Sequence, residues 1–241
     1  RNASTPVREI FLDVPCGRLA ALEWGEPGAP PLLALHGWLD NAAGFSALAP
    51  PLAGNFRVLA LDLPGHGRSA HLPQGVARYH ATDYADHVLD AADALRLQRF
   101  SLLGHSLGAG VASLVAAAAP ARIEKLALIE GLGPLADDGS HTLERWREAE
   151  AQRSVPRRAR RVFATVDEAV AARVAAGGLE AHEARALVER NLHAVEGGHA
   201  WSSDARLRLP DPLRLDEFQL RRLLAGIEGP TLLLVAQPET P

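Results

Sequence analysis

The chain of 241 residues has no methionine, one cysteine (Cys16) and one lysine (Lys125) beside many arginines. A single cysteine excludes an internal disulfide framework. No run of residues has metal-ligand spacing or the form of a phosphate-binding loop, so neither a metal nor a cofactor is expected. The lack of methionine indicates that the chain is part of a longer product. The preference for arginine over lysine is typical of a GC-rich bacterial source.

Long apolar runs and a strong charge of either sign are also missing. No run could span a bilayer, and a net charge of −4 gives no electrostatic reason to expect nucleic acid or an anionic membrane as a partner. The first residues lack the apolar core of a secretory leader, so the expected location is the cytoplasm. A hydrophobic content of 47% predicts one large globular domain, with or without an insertion, and nothing in the sequence indicates an oligomeric state.

The segment around Ser106 predicts a strand that turns sharply into a helix. Residues 100–103 are apolar and of strand type, and residues 111–119 are rich in alanine and helical in character. Gly104 and Gly108 flank Ser106 at the spacing that such a turn needs, because glycines let neighbouring chain pass closely. The pattern therefore predicts an exposed serine nucleophile. The alternative is a glycine-rich tight turn with an incidental serine, which the strand and helix on either side make less favourable.

The rest of the first half alternates predicted strands with predicted helices. Apolar strands end just before Trp38, Asp62, Ser106 and Glu130, and Asn41 is placed to cap a helix from about Ala42 to Leu52. Residues 8–14 and 18–24 flank a turn and predict an antiparallel hairpin. This order predicts an α/β fold with a mostly parallel sheet, helices on both faces and a ligand crevice at the carboxyl ends of the strands.

From about Leu135 to Ile227 the composition shifts to Ala, Arg, Glu and Leu with helical periodicity and no clear buried strand. We expect a core domain from 1–134 and 228–241 and a helical cap insertion at 135–227. Residues 197–212 appear loop-like in composition. The candidates within them to face the crevice are Trp201, Asp204 and Arg206.

Three motifs occur in the order and approximate spacing of the α/β-hydrolase superfamily. They are His36-Gly37-Trp38, residues 62–69 (Asp-Leu-Pro-Gly-His-Gly-Arg-Ser) and Gly104-His105-Ser106-Leu107-Gly108. More narrowly, residues 35–42 and 129–134 resemble the serine hydrolase-like proteins, a branch near the haloalkane dehalogenases and epoxide hydrolases. Those two enzyme groups use an aspartate where this chain has Ser106, so their chemistry is not expected here.

The resemblance implies roles for individual residues. Ser106 would be the nucleophile, with a carboxylate orienting a histidine base; Glu130 is the favoured carboxylate and Glu239 the other candidate, although a strand-end carboxylate such as Glu130 can be purely structural. The amides of Leu107 and Trp38 would form the oxyanion hole. Candidate substrate-binding residues are His105 and Trp201. His105 is a poor candidate for the base, because its place on the turn directs it elsewhere.

Three further side chains are expected to be structural: His36 to brace its loop, and Asp62 and His66 to hold the turn that follows the strand ending at Asp62. The order of the family places the base after a strand beyond Val235, and this chain has no histidine after His199. We therefore expect the base beyond residue 241, the alternative being a catalytically inactive copy. The sequence predicts a serine hydrolase that acts on a small-molecule ester or related acyl substrate through an acyl-enzyme; the alternative is a noncatalytic ligand-binding module.

Overall fold

The computed structural model describes residues 6–153 and 161–237, which form twelve strands and seven α-helices. The strands are β1 (Arg8–Val14), β2 (Gly17–Trp24), β3 (Pro31–Leu35), β4 (Arg57–Leu61), β5 (Phe100–His105), β6 (Ile123–Ile129), β7 (Ala136–Asp137), β8 (Val162–Phe163), β9 (Leu192–Val195), β10 (Gly198–Trp201), β11 (Leu215–Asp216) and β12 (Thr231–Leu234). The helices are α1 (Ala49–Leu52), α2 (Asp83–Ala94), α3 (Leu107–Ala118), α4 (Thr142–Arg153), α5 (Val166–Ala175), α6 (Ala181–Arg190) and α7 (Glu217–Leu224). No helix in these described ranges has the length and apolar character needed to cross a membrane.

Seven strands form one sheet in the order β1-β2-β4-β3-β5-β6-β12. β1 and β2 make the predicted antiparallel hairpin, with Val14 opposite Gly17. β2 pairs antiparallel with β4, and every later pair in the order is parallel. The mostly parallel sheet confirms the predicted fold class, and the carboxyl ends of β3 to β6 meet at one edge.

The sheet is buried on both faces because alternate residues of a central strand enter different cores. Leu33 and Leu35 of β3 belong to a core that contains residues of α2 and α3. Leu32 and Ala34, which point the other way, belong to a second core under residues 42–53. A strand covered on both faces has a continuous apolar sequence, which is why β3 could be recognised without alternation.

The helix predicted from Ala42 to Leu52 is split in two. A 3-10 helix covers Ala42–Phe45, and the Asn41 side chain caps it by accepting from the Ala43 amide at 3.0 Å. The chain then begins again as α1, with prolines at its first positions. Pro50 and Pro51 have no amide hydrogen and fit only the first turn of a helix, so they start a new helix rather than continue the old one.

Residues 135–227, here called the insertion, lie between two strands that pair directly, since Thr231 of β12 is opposite Leu126 of β6. The insertion contains α4 to α7. Beside its helices the insertion contains β8, β10 and β9, which form a three-stranded antiparallel sheet that the helical pattern of this region did not predict. Glu196 and Gly197, the latter with a φ of 81°, make the turn of the hairpin between β9 and β10, so β10 lies in the region expected to be a loop. Strands of two to four residues are too short for a periodic pattern to reveal.

Candidate active site

Ser106 is the single residue between β5 and α3. Its φ of 51° and ψ of −112° lie outside the regions that residues with a side chain normally adopt, a conformation that costs about 1–3 kcal/mol. Three backbone hydrogen bonds hold it there. The Ser106 amide donates to the Ile129 carbonyl at 2.9 Å, and the Ser106 carbonyl accepts from the amides of Ala109 and Gly110 at 2.9 and 3.1 Å. Ser106 is exposed, so the strained turn leaves its hydroxyl accessible at the carboxyl end of β5.

The two glycines around Ser106 are needed because backbone lies against them. A Cβ on Gly108 would be 2.0 Å from the Leu35 carbonyl oxygen, at the end of β3. A Cβ on Gly104 would be 2.4 Å from the Gly108 carbonyl oxygen and 2.6 Å from the Ala109 Cα. The first turn of α3 therefore packs directly on β3 and β5, and any side chain at these positions would push the helix away.

The two amides predicted to be oxyanion donors belong to the loop after β3 and to the first turn of α3. Residues 36–41, here called the oxyanion loop, follow β3, and the Gly108 amide donates to the His36 carbonyl at 3.1 Å, which places the loop against the start of α3. Within residues 6–153 and 161–237, neither the Trp38 amide nor the Leu107 amide donates a hydrogen bond. Leu107 is the first residue of α3, where amides are free and the helix dipole favours negative charge. Both amides can therefore serve as oxyanion donors.

The carboxylate favoured by the sequence lies at the same edge of the sheet. Glu130 follows β6, the neighbour of β5, and has a positive φ of 53°. Its amide donates to the Leu234 carbonyl at 2.9 Å, and its Oε1 accepts a hydrogen bond from the Ala236 amide, just past β12. The side chain is exposed rather than enclosed in a crevice. The other candidate acid, Glu239, lies outside the described residues.

The buried histidines near this edge hold the backbone. His36 Nδ1 pairs with the Gly37 carbonyl at 2.8 Å, and Nε2 accepts from the Leu63 amide at 3.0 Å. Burial lowers the pKa of His36 to about 4 and that of His66 to about 3, so both are neutral at pH 7. His66 Nδ1 pairs with the Pro64 carbonyl at 3.1 Å. His36 thus braces its loop, as the sequence analysis expects.

The next feature of the site is the set of histidines near Ser106. His105, next to Ser106 in the chain, lies against the oxyanion loop, since a Cβ on Gly37 would be 3.1 Å from its Nδ1. No histidine in the described ranges hydrogen-bonds to the Ser106 hydroxyl or to Glu130. In those ranges there is also no group of three or more His, Cys, Asp or Glu side chains arranged to hold a metal ion.

The three insertion residues expected to face the crevice all contact other parts of the protein. Trp201 packs edge-to-face on Phe163, with ring centroids 5.1 Å apart, and is partly buried. The expectation that Asp204 and Arg206 face the crevice is wrong. They are 5% and 7% exposed and form an ion pair at 2.6 Å. Arg206 also donates to the carbonyls of residues 72, 73 and 76, so the pair fastens the insertion to a loop of the core.

A buried ion pair that sequence reasoning missed lies behind the oxyanion loop. Asp62 is fully buried, and its carboxylate accepts from the Nε of Arg190, at the end of α6, at 3.0 and 3.1 Å, while Nη2 of the same guanidinium lies 2.8 Å from it as an ion pair. The same carboxylate accepts from the amides of Ala42 and Arg68 at 2.7 and 2.8 Å. Arg190 also pairs with Glu9 at 2.8 Å. The one sequence signal for Arg190 is its place at the end of a helix with an apolar face.

Comparison with known proteins gives consistent matches. The family described as "alpha/beta hydrolase fold" matches residues 30–233. A "Serine hydrolase-like protein" of Danio rerio is 31% identical over 95% of this chain and 72% of its own length. Three further curated relatives are matched over 34%, 61% and 39% of their lengths, so the chain spans only part of them.

Two solved structures extend the comparison. A hypothetical protein of Pseudomonas aeruginosa PAO1 is 44% identical, with a TM-score of 0.90 over 98% of this chain and 82% of its own. A thioesterase domain from the curacin biosynthetic pathway is 30% identical, with a TM-score of 0.79 over 95% of this chain and 82% of its own.

Proposed function

Because the chain belongs to the α/β-hydrolase family, in its serine hydrolase-like branch, we propose that it is a serine hydrolase acting on a small-molecule ester or related acyl substrate. The observation that carries this proposal is the backbone of Ser106. Three backbone hydrogen bonds hold Ser106 at a φ of 51°, and its side chain is exposed. A strained turn between a strand and a helix exposes the serine hydroxyl, and this is the arrangement in which a serine acts as the nucleophile of an α/β hydrolase.

In the proposed reaction, the Ser106 hydroxyl attacks the carbonyl carbon of the substrate and transfers its proton to a general base. The negative charge that forms on the carbonyl oxygen is stabilised by the Leu107 and Trp38 amides. The leaving group takes a proton as it departs, and water then releases the acid from the acyl-enzyme. The base is a histidine in the family's order of residues, and Glu130 would orient it through the carboxylate oxygen that does not accept from the Ala236 amide.

Because one of the similar structures is a thioesterase domain, the two substrate classes to compare are oxygen esters and thioesters. A panel of short and long p-nitrophenyl esters and the matching acyl thioesters would separate oxygen-ester from thioester preference. Because fold alone does not fix a substrate, the panel decides this point rather than the family.

A second candidate function, a noncatalytic ligand-binding module, is favoured by one observation. No histidine of residues 6–153 and 161–237 hydrogen-bonds to the Ser106 hydroxyl. In this alternative Ser106 and the two free amides would bind the carbonyl or carboxylate of a ligand without attacking it. The two candidates differ in whether Ser106 reacts covalently.

A fluorophosphonate probe tests the proposal, because it forms a covalent bond only with an activated serine. We expect the natural full-length protein to be labelled and the Ser106→Ala variant to be unlabelled. Ser46→Ala, at another exposed serine, is the matched control and should label as the wild type does. A folded wild-type protein that stays unlabelled would contradict the hydrolase and favour the binding module.

A further inference from the structure

The oxyanion loop contacts the insertion at three points. The Trp38 indole Nε1 donates to the Leu207 carbonyl at 2.9 Å. The Asn41 Nδ2 donates to the Leu187 carbonyl at 2.8 Å, in a buried position. Asp40 lies 3.6 Å from a guanidinium nitrogen of Arg173. The three partners belong to separate elements. Leu207 lies in a 3-10 helix at Ala205–Arg208, Leu187 in α6 and Arg173 in α5, so three elements of the insertion contact the loop.

The core holds the first part of this loop by hydrogen bonds, and it meets the second part through Leu39, which packs against the core, and through Asn41, whose Oδ1 accepts from the Ala43 amide. His36 is tied to α3 through the Gly108 amide and to the loop after β4 through the Leu63 amide. Beyond Gly37 the loop turns, with Leu39 at a positive φ of 61° and the Asp40 amide donating to the Gly37 carbonyl at 3.1 Å. A turn with a left-handed leucine is strained and persists only when its surroundings hold it. The contacts with the insertion lie on this second part, on both sides of Leu39.

The acceptors on the insertion are themselves anchored to the core. Leu207 lies in the 3-10 helix that Asp204 caps, and Asp204 is tied to the core, because its amide donates to the Gly65 carbonyl at 2.8 Å and its carboxylate accepts from the Tyr79 hydroxyl at 3.0 Å. Leu187 is one turn before Arg190, which is paired with the fully buried Asp62. Buried contacts with the core therefore fix the positions of Leu207 and Leu187, and the hydrogen bonds that their carbonyls accept can hold the loop in place.

We propose that the insertion positions the oxyanion hole: the Trp38 indole and Asn41 are positioning residues whose hydrogen bonds to the Leu207 and Leu187 carbonyls hold the Trp38 amide at the oxyanion site. This inference rests on the proposed hydrolase function. An oxyanion forms only in the transition state, so a displaced donor lowers kcat and leaves substrate binding little changed. The insertion then contributes to the chemical step in addition to any part it has in binding.

The test replaces the indole while keeping an aromatic ring. Trp38→Phe removes the N–H that reaches Leu207 and also makes the aromatic ring system smaller, so the control must lose the same atoms. Trp146→Phe, on α4, is the matched control. The two tryptophans are 54% and 48% exposed, and the Trp146 indole makes no hydrogen bond in the part of the chain that the structure describes. Asn41→Asp is a second variant, since it keeps the oxygen that caps Ala43 and removes the donor to Leu187.

Two measurements are made on the full-length protein. The first is steady-state kinetics on the best ester of the panel, where we expect Trp38→Phe to lower kcat about tenfold with KM within about twofold. This is less than the 10²–10³-fold loss seen when an oxyanion donor is removed outright, because the amide remains but is displaced. The second is hydrogen exchange in the peptide covering residues 36–45, which needs no activity. We expect exchange to quicken in Trp38→Phe and Asn41→Asp and to match the wild type in Trp146→Phe.

The outcomes distinguish the positioning role of Trp38 and Asn41 from the proposed hydrolase function. Unchanged exchange in Trp38→Phe and Asn41→Asp overturns the positioning role, whether or not the protein is an enzyme. Faster exchange with unchanged kcat, or with a rise in KM alone, also overturns it, because the loop would then loosen without affecting the oxyanion. A wild-type protein that neither labels nor turns over any ester defeats the proposed function, and with it the catalytic meaning of the contacts, while the exchange data still report whether the insertion holds the loop.

Discussion

The ion pair between Arg190 and Asp62 gives the sharpest stability prediction. Arg190 is 6% exposed and Asp62 is fully buried, and the two are joined by three contacts of 2.8 to 3.1 Å. Arg190→Met keeps much of the volume of the side chain and removes its charge. The carboxylate of Asp62 then stays buried without a counter-charge, which is the costly case for a buried ion pair.

The expected loss in the free energy of unfolding depends on the hydrogen bonds that Asp62 keeps in Arg190→Met. Losing one partner of a buried pair costs about 3–5 kcal/mol. The amides of Ala42 and Arg68 still donate to the Asp62 carboxylate in the variant, so we expect the lower end, about 3 kcal/mol. For a chain of this size that corresponds to a fall in Tm of roughly 6–12 °C.

Urea denaturation followed by circular dichroism measures the change in the free energy of unfolding. Arg185→Met is the matched control, since Arg185 lies on the same helix and pairs with Asp167 and Glu189 but is 48% exposed. Its substitution should leave the urea midpoint unchanged, because exposed ion pairs contribute little. A loss under about 1 kcal/mol in Arg190→Met, or equal losses in both variants, would refute the account of the buried pair.

Two other predictions concern strain and pH. Ser106→Gly should abolish fluorophosphonate labelling and yet raise the free energy of unfolding by about 1 kcal/mol relative to Ser106→Ala, because glycine adopts a φ of 51° without strain; equal stability of the two variants in urea would mean that the turn is unstrained. Although burial raises the pKa of Asp204, hydrogen bonds from Arg206 hold it at about 2, below its ordinary value of 3.8. The stabilisation that results from this lowered pKa is complete above about pH 4 and is lost as the pH falls towards 2. The difference in urea midpoint between wild type and Asp204→Asn should therefore shrink over that range. A constant difference would contradict this prediction.

Local patterns were enough to predict the elements that hold Ser106. The apolar run of β5, the alanine-rich α3 and the glycines at 104 and 108 each report a constraint on their own backbone, so they can be read from neighbouring residues. The hairpin of β1 and β2 was predictable for the same reason, since its partners are adjacent in the chain.

Contacts between distant parts of the chain could not be predicted this way. Trp38 meets Leu207 across 169 positions and Arg190 meets Asp62 across 128, and no local pattern marks either partner. Asp204 and Arg206 were misread for a related reason. Charged residues in a loop-like segment suggest solvent or ligand, and only the core carbonyls that Arg206 meets make burial possible.

The most direct test of the central claim, that Ser106 is a nucleophile, is to trap the acyl-enzyme. The full-length protein is mixed with a p-nitrophenyl ester, quenched in acid within milliseconds, digested and analysed by mass spectrometry. We predict that the mass of the acyl group appears on the peptide that contains Ser106 and is absent from Ser106→Ala. Ester hydrolysis that persists in Ser106→Ala, or an acyl group carried by another residue, would contradict the account.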